Sequence, residues 1–302
     1  MRLHIRHETR YAYTPAVETA QHMAHLKPLD TPTQRLLDHQ LQVLPEPAQY
    51  SETQDVFGNT QTFFALPAAH EALVVVADSQ VDTAVPAPPP IAHASLAWEP
   101  VREHFRYHSK AAWDPAAEFV FASPYVPRHE DFTAWARPSF GPGTPLLEAA
   151  RDLMERIFDD FTYESDATQV NTPALEALHG KRGVCQDFAH VMVACLRAMG
   201  LPARYVSGYL LTKPPPGQPR LIGSDASHAW ASVYLPAIEG ATPGRWYDFD
   251  PTNSRPPGED YVTLATGRDY SDVSPIRGVI HGGAQHTLKV AVTVEPVALQ
   301  NL

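Results

Sequence analysis

Cys185 follows Arg182-Gly183-Val184 and opens the run Gln186-Asp187-Phe188-Ala189-His190, so a glycine turn delivers a thiol to the first turn of a helix. The positive end of a helix favours a thiolate, and its unpaired N–H groups suit an oxyanion. Downstream, Ser227-His228-Ala229-Trp230 stands on a strand-like run, and Asp248-Phe249-Asp250-Pro251-Thr252 closes another. A thiol, an imidazole and a carboxylate to orient it are the parts needed for acyl transfer through a thioester.

Each member has rivals in the chain. Cys195, ten positions on, falls within about 20° of Phe188 on the helical wheel and reads as packing. The two cysteines lie about 15 Å apart along one helix, too far to pair. His190 lies about 140° round the helix from Cys185 and points away from it. His281 and His286 flank a glycine-rich segment, which leaves His228 as the candidate base. Asp248 and Asp250 share a strand face, but Pro251 ends the strand and puts Asp250 at its lip. Asp225, three residues before His228, is a more distant rival carboxylate in a loop.

The elements that must position these groups read as α+β. Leu3, Ile5, His7, Thr9, Tyr11 and Tyr13 alternate with polar neighbours as in a strand with one buried face. Strand patterns recur at 39–44, 60–66 and 71–81, with a turn at Val56-Phe57-Gly58-Asn59, so an N-terminal antiparallel β domain is expected over 1–85. The proline run Pro86-Ala87-Pro88-Pro89-Pro90 reads as a stiff connection, and 86–143 as an aromatic segment of short helices and loops packed on a core with a C-terminal strand over 144–302. In that core, Thr144-Pro145 and Thr172-Pro173 signal helix starts, and a helix over about 185–199 ends at Gly200. Strands follow at 203–211, 228–235 and 245–250. The Pro214-Pro215-Pro216-Gly217 loop reads as a surface turn.

Composition narrows the partners. The chain has 302 residues, with 34 acidic side chains against 23 basic and a formal charge of -11, which disfavours nucleic acid and anionic membranes. The absence of a signal-like apolar block and of an apolar run of about 18 residues gives the expectation of a cytoplasmic protein with reduced thiols. No C-x-x-C or H-E-x-x-H occurs, so neither a metal nor a cofactor is expected.

Three blocks then resemble the bacterial branch of the transglutaminase-like superfamily. They are Gly183-Val184-Cys185-Gln186-Asp187-Phe188-Ala189-His190, then Gly200-Leu201-Pro202-Ala203-Arg204-Tyr205-Val206-Ser207-Gly208-Tyr209, then His228-Ala229-Trp230 with Asp250-Pro251-Thr252-Asn253. Asp55-Val56-Phe57-Gly58-Asn59 is similar to the β domain that precedes that core. The resemblance implies a papain-like helix and antiparallel sheet, with Cys185 as nucleophile, His228 as base and Asp250, rather than Asp248, as the orienting acid. It implies a cysteine peptidase or amidase acting on a peptide or isopeptide. A protein-glutamine acyltransferase using the same thioester is the alternative, and a catalytically silent peptide-binding module is a third reading. The papain pattern places a glutamine about six residues before the cysteine, where this chain has His179. Besides the Cys185 N–H, Tyr163 and Gln186 are the candidates for an oxyanion donor.

Overall fold

The computed structural model describes residues 1–86, 95–109, 112–164, 170–212, 227–237, 244–283 and 285–297. Pro88, Pro89 and Pro90, the Pro214-Pro215-Pro216-Gly217 loop and Asp225 lie outside the described residues. The chain opens in strands β1 (Arg2–Ala24), β2 (Gln34–Leu44), β3 (Gln49–Gln54), β4 (Thr60–Leu66) and β5 (His70–Thr83). Short helices α1 (Trp98–His104) and α2 (Glu130–Ala136) carry the aromatic segment, and α3 (Leu146–Asp160) follows. The small parallel pair β6 (Thr162–Tyr163) and β7 (Arg182–Gly183) brackets α4 (Ala174–Gly180). Helix α5 (Cys185–Ala198) then precedes β8 (Ala203–Leu210), β9 (Ser227–Leu235), β10 (Arg245–Phe249) and β11 (Tyr261–Gly267). The chain closes with α6 (Tyr270–Val273), β12 (Ile276–Gly282) and β13 (Gln285–Pro296).

Two antiparallel sheets result. The N-terminal one runs β2-β5-β1-β4-β3, and β12 and β13 also pair with β1, so C-terminal strands complete the sheet that the N-terminus begins. The expected alternation holds, with Leu3, Ile5, His7, Thr9 and Tyr13 buried. The strand nevertheless continues to Ala24, well past Tyr13. Pro15 lacks an N–H and interrupts the ladder where β1 changes neighbours, from β5 and β13 to β4 and β12. The second sheet, β10-β9-β8-β11, packs against α5 through Ala203, Ala231 and Val233. Helices α2, α3 and α4 cover the far side of α5, so Asp187 through Arg197 are all buried and the helix has no polar face over that stretch. Helix α3 begins at Leu146 rather than at Pro145, because Pro145 is extended and bridges Ala97.

The two sheets meet through Leu3, Ile5, Val81, Val292 and Val294 against Tyr205, Tyr209, Ala229, Val262 and Leu264. Two side-chain amides fasten the contact at β11, the edge strand of the second sheet. Gln34 donates to the Thr263 carbonyl and accepts from the Thr263 N–H, each at 2.8 Å. Asn59 makes the same reciprocal pair with Thr266, again at 2.8 Å. Asp55 holds the turn before it, its carboxylate accepting the N–H groups of Phe57 and Asn59. Replacing Asn59 with Ala leaves the buried N–H and C=O of Thr266 unpaired, which costs on the order of 2–4 kcal/mol. Urea unfolding of Asn59→Ala against the parent protein measures that loss.

Candidate active site

The thiol stands where the sequence puts it, because Gly183 lets the chain turn tightly into α5. The buried Asp187 side chain folds back over that turn, and its Oδ2 accepts the Val184 N–H at 2.9 Å. A Cβ on Gly183 would lie 2.5 Å from the same oxygen, so only glycine leaves room for the carboxylate. Cys185 is the first residue of the helix and is partly exposed. Its N–H belongs to the first turn, where backbone donors lack intrahelical partners. Cys195 is fully buried in the main core, and burial pushes its thiol far above the ordinary range.

His228 is the second residue of β9, paired in register with Gly208 of β8. Its Nε2–H donates to Asp250 Oδ2 at 2.7 Å, and the Cys185 thiol lies near enough to the ring to favour its protonated form. With Nε2 taken by the carboxylate, Nδ1 is the nitrogen left for the sulfur. Burial opposes a charge on this ring, but the Asp250 hydrogen bond, with the influence of Cys185 and the Asp250 charge, outweighs it and pushes His228 up to about 10. Burial likewise works against the Asp250 carboxylate, and the His228 bond and charge overcome it, so Asp250 ends below its ordinary value.

Asp250 is fully buried just past β10, where it forms an antiparallel bridge with Arg255 around a turn. Its Oδ1 accepts the Thr252 N–H at 2.8 Å. Its Oδ2 accepts three donors, from His228, the Asn253 amide at 2.7 Å and the Tyr261 hydroxyl at 2.7 Å. Asp248, two residues earlier, instead accepts the hydroxyl of Ser232, its cross-strand partner. Asn253 lies inside a block that the sequence already singles out. Tyr261 carries no such signal, since a tyrosine in a strand reads as packing.

The rival histidines are occupied elsewhere. His190 is buried, stacks on Tyr125, lies tilted against Tyr205, and accepts the Tyr270 N–H at 3.1 Å; burial pushes it down to about 3. His281 pairs with Glu18, and His286 lies against Tyr11 and Tyr13 in the N-terminal sheet. His179, at the position of the papain-type glutamine, is exposed and bonded to Asp131 at 2.7 Å. The Gln186 amide donates to the Val170 carbonyl at 2.7 Å. Tyr163 pairs with Gly183 across the small parallel ladder and packs edge-on against Phe188. Its phenol is raised by burial and then by the nearby Cys185 and Asp187.

Comparison with known proteins agrees with this architecture. Residues 3–82 match the bacterial transglutaminase-like N-terminal region, and residues 133–251 match the transglutaminase-like superfamily. An uncharacterized protein of Mycobacterium tuberculosis is 40% identical over 302 residues, spanning 98% of this chain and 93% of its own length. One from Mycobacterium leprae is 30% identical over 303 residues, spanning 98% of this chain and 99% of its own. The chain belongs to the transglutaminase-like superfamily. A crystal structure of a candidate cysteine protease from Cytophaga hutchinsonii superposes with a TM-score of 0.73 at 21% identity, covering 100% of this chain and 92% of the other, and so shares the fold.

The different surroundings of the two cysteines predict selective alkylation. Brief iodoacetamide treatment of the native protein should label Cys185 and leave Cys195 intact, while denaturation should expose both; peptide mapping by mass spectrometry reads the ratio. Equal, slow labelling of the two in the native protein would contradict the pairing of Cys185 with His228.

Proposed function

We propose that the protein is a cysteine-dependent amide-bond hydrolase, a peptidase or amidase that works through Cys185, His228 and Asp250. The observation that carries this reading is the imidazole of His228, hydrogen-bonded to a buried carboxylate 2.7 Å away and influenced by the nearby helix-start thiol of Cys185. A thiolate–imidazolium pair held this way is a ready nucleophile with its acid beside it.

Cys185 Sγ attacks the amide carbonyl, and the carbonyl electrons move onto oxygen. The Cys185 N–H at the helix end is one donor placed to receive that charge, and Tyr163 is a second candidate beside the thiol. As the C–N bond breaks, His228 gives its proton to the leaving amine, and an acyl-thioester remains on Cys185. Neutral His228 then takes a proton from water, whose oxygen attacks the thioester. Collapse releases the carboxylic acid and restores the thiolate–imidazolium pair. Asp250 holds the ring in one orientation and keeps its carboxylate throughout. A short peptide or isopeptide fits the amide chemistry of the site. A reducing cytoplasm suits a chain whose two cysteines are both free.

Two substitutions test the reading on a peptide library scored by mass spectrometry, with and without an added amine. Cys185→Ala should abolish turnover while the protein still unfolds cooperatively; retained activity would remove Cys185 from the mechanism. Hydrolysed product should dominate even with amine present, and a predominantly amine-linked product would make the enzyme an acyltransferase.

The pH profile supplies a separate check. Activity needs the imidazolium, so it is present below the His228 pKa and lost as pH rises through it, which puts the alkaline limb of kcat/KM near pH 10. In Asp250→Asn the charge that holds the proton is gone, so the limb should fall toward the ordinary histidine range and the rate should drop by at least ~10²-fold.

A further inference from the structure

We infer that Tyr261 is a positioning residue of the His228–Asp250 pair, clamping the carboxylate from a separate strand and moderating its hold on the imidazolium; this rests on the hydrolase reading above. Asp250 sits at the start of a turn, and of its side-chain donors Thr252 and Asn253 belong to that same turn. Tyr261 is different, because β11 supplies it on a separate strand and its hydroxyl reaches the same Oδ2 that receives His228. A carboxylate tied only to its own turn can swing with that turn. One also tied to β11 is fixed against the sheet.

The tyrosine is itself braced. Its ring is 4% exposed, meets the Trp230 ring edge-on at 5.4 Å and lies under the Arg255 guanidinium at 4.6 Å. Arg255 is held by Asp260, at 2.6 Å for the shorter bond. Trp230 fits because the neighbouring strand has a glycine there: a Cβ on Gly208 would lie 2.6 Å from the indole. Packing thus runs from Gly208 through Trp230 to Tyr261, and hydrogen bonds run on through Asp250 to His228, the ring beside Cys185. Burial and the adjacent Asp250 push the phenol far above its ordinary value, so the hydroxyl remains a donor wherever the enzyme works.

The sign of the effect separates this role from simple packing. The ionisable groups around the ring are Cys185 and Asp250, with Asp187 on the thiol side and Arg255 and Asp260 behind Tyr261. A donor on Oδ2 spreads its negative charge and weakens its pull on the His228 proton. Tyr261→Phe keeps the ring and its contacts but removes that donor. The imidazolium is then held more tightly and surrenders its proton to the leaving amine less readily. A tyrosine that merely filled space would, on removal of its hydroxyl, leave the titration unmoved, or loosen Asp250 and move it down.

Titration of the full-length protein by nitrogen-15 NMR of the His228 ring, with no substrate present, tests this directly. Tyr261→Phe should raise the His228 midpoint by about half a unit or more, whereas Asp250→Asn should lower it by at least about one unit. Asn253→Ala, an exposed turn variant, removes another donor from Oδ2 together with the amide nitrogen 3.3 Å from His228 Nε2; it should move the midpoint in the same direction as Tyr261→Phe and serves if that variant unfolds. On a turned-over peptide, Tyr261→Phe should lower kcat with KM unchanged. A midpoint that stays put or falls in folded Tyr261→Phe overturns the assignment, and if that variant unfolds the same result in Asn253→Ala overturns it. Because the titration needs no turnover, a protein that shows the upward shift yet hydrolyses no amide would refute the reaction and leave the positioning role standing.

Discussion

A carboxylate sealed from water must be matched by donors and by charge, or it takes up a proton. Asp250 is fully buried, and the organisation of the site follows from how its charge is met. Oδ1 is satisfied by its own turn, and Oδ2 by His228, Asn253 and Tyr261. That leaves Asp250 anionic, which in turn keeps a buried imidazole charged where burial alone would strip its proton. The neighbouring histidine His190 shows the alternative outcome. It is buried too, but it accepts a backbone N–H and is pushed down to about 3. The two histidines are shifted in opposite directions: Asp250 hydrogen-bonds the His228 ring, whereas Asp269 acts on His190 without a hydrogen bond and is opposed by Arg197.

The helix solves the other half of the problem. Placing a thiol at an N-terminus requires the chain to enter α5 abruptly, and Gly183 with Asp187 makes that entry rigid. Burial of α5 on all sides then denies the helix any freedom to shift along the sheet. Precision at Cys185 thus comes from the core as much as from the turn, since a helix sandwiched between a sheet and three other helices has one position that fills the space.

Legibility in the sequence followed the physics of each element. The half-buried strand at Leu3 to Tyr13 and the helix at Cys185 show clear periods, because each meets water or the core in a regular way. β3 does not, since its residues Gln49 to Gln54 are all exposed and no alternation is imposed on them. β12 and much of β13 show no alternation for the same reason. Cys185, His228 and Asp250 were visible as residue types at strand and helix ends, and the choice of Asp250 over Asp248 rested on a proline and on resemblance. Geometry now supplies a different ground: Asp248 is engaged with Ser232 across the ladder, while Asp250 lies beyond it. Tyr261 was invisible because its importance lies in a hydrogen bond between distant segments, which no local pattern encodes.

The N-terminal sheet also bears on the site through the strand that carries Tyr261. β11 is an edge strand, and an edge exposes backbone donors and acceptors that invite slippage or foreign pairing. Here Gln34 and Asn59 present primary amides to Thr263 and Thr266, each amide donating and accepting as a neighbouring peptide would. The edge is closed by side chains instead of by another strand. Thr263 lies only two residues from Tyr261, so fixing its N–H and C=O fixes the register in which the hydroxyl reaches Asp250. The N-terminal sheet is thereby mechanically continuous with the carboxylate, and the pairing of β12 and β13 with β1 binds the end of the chain into the same frame.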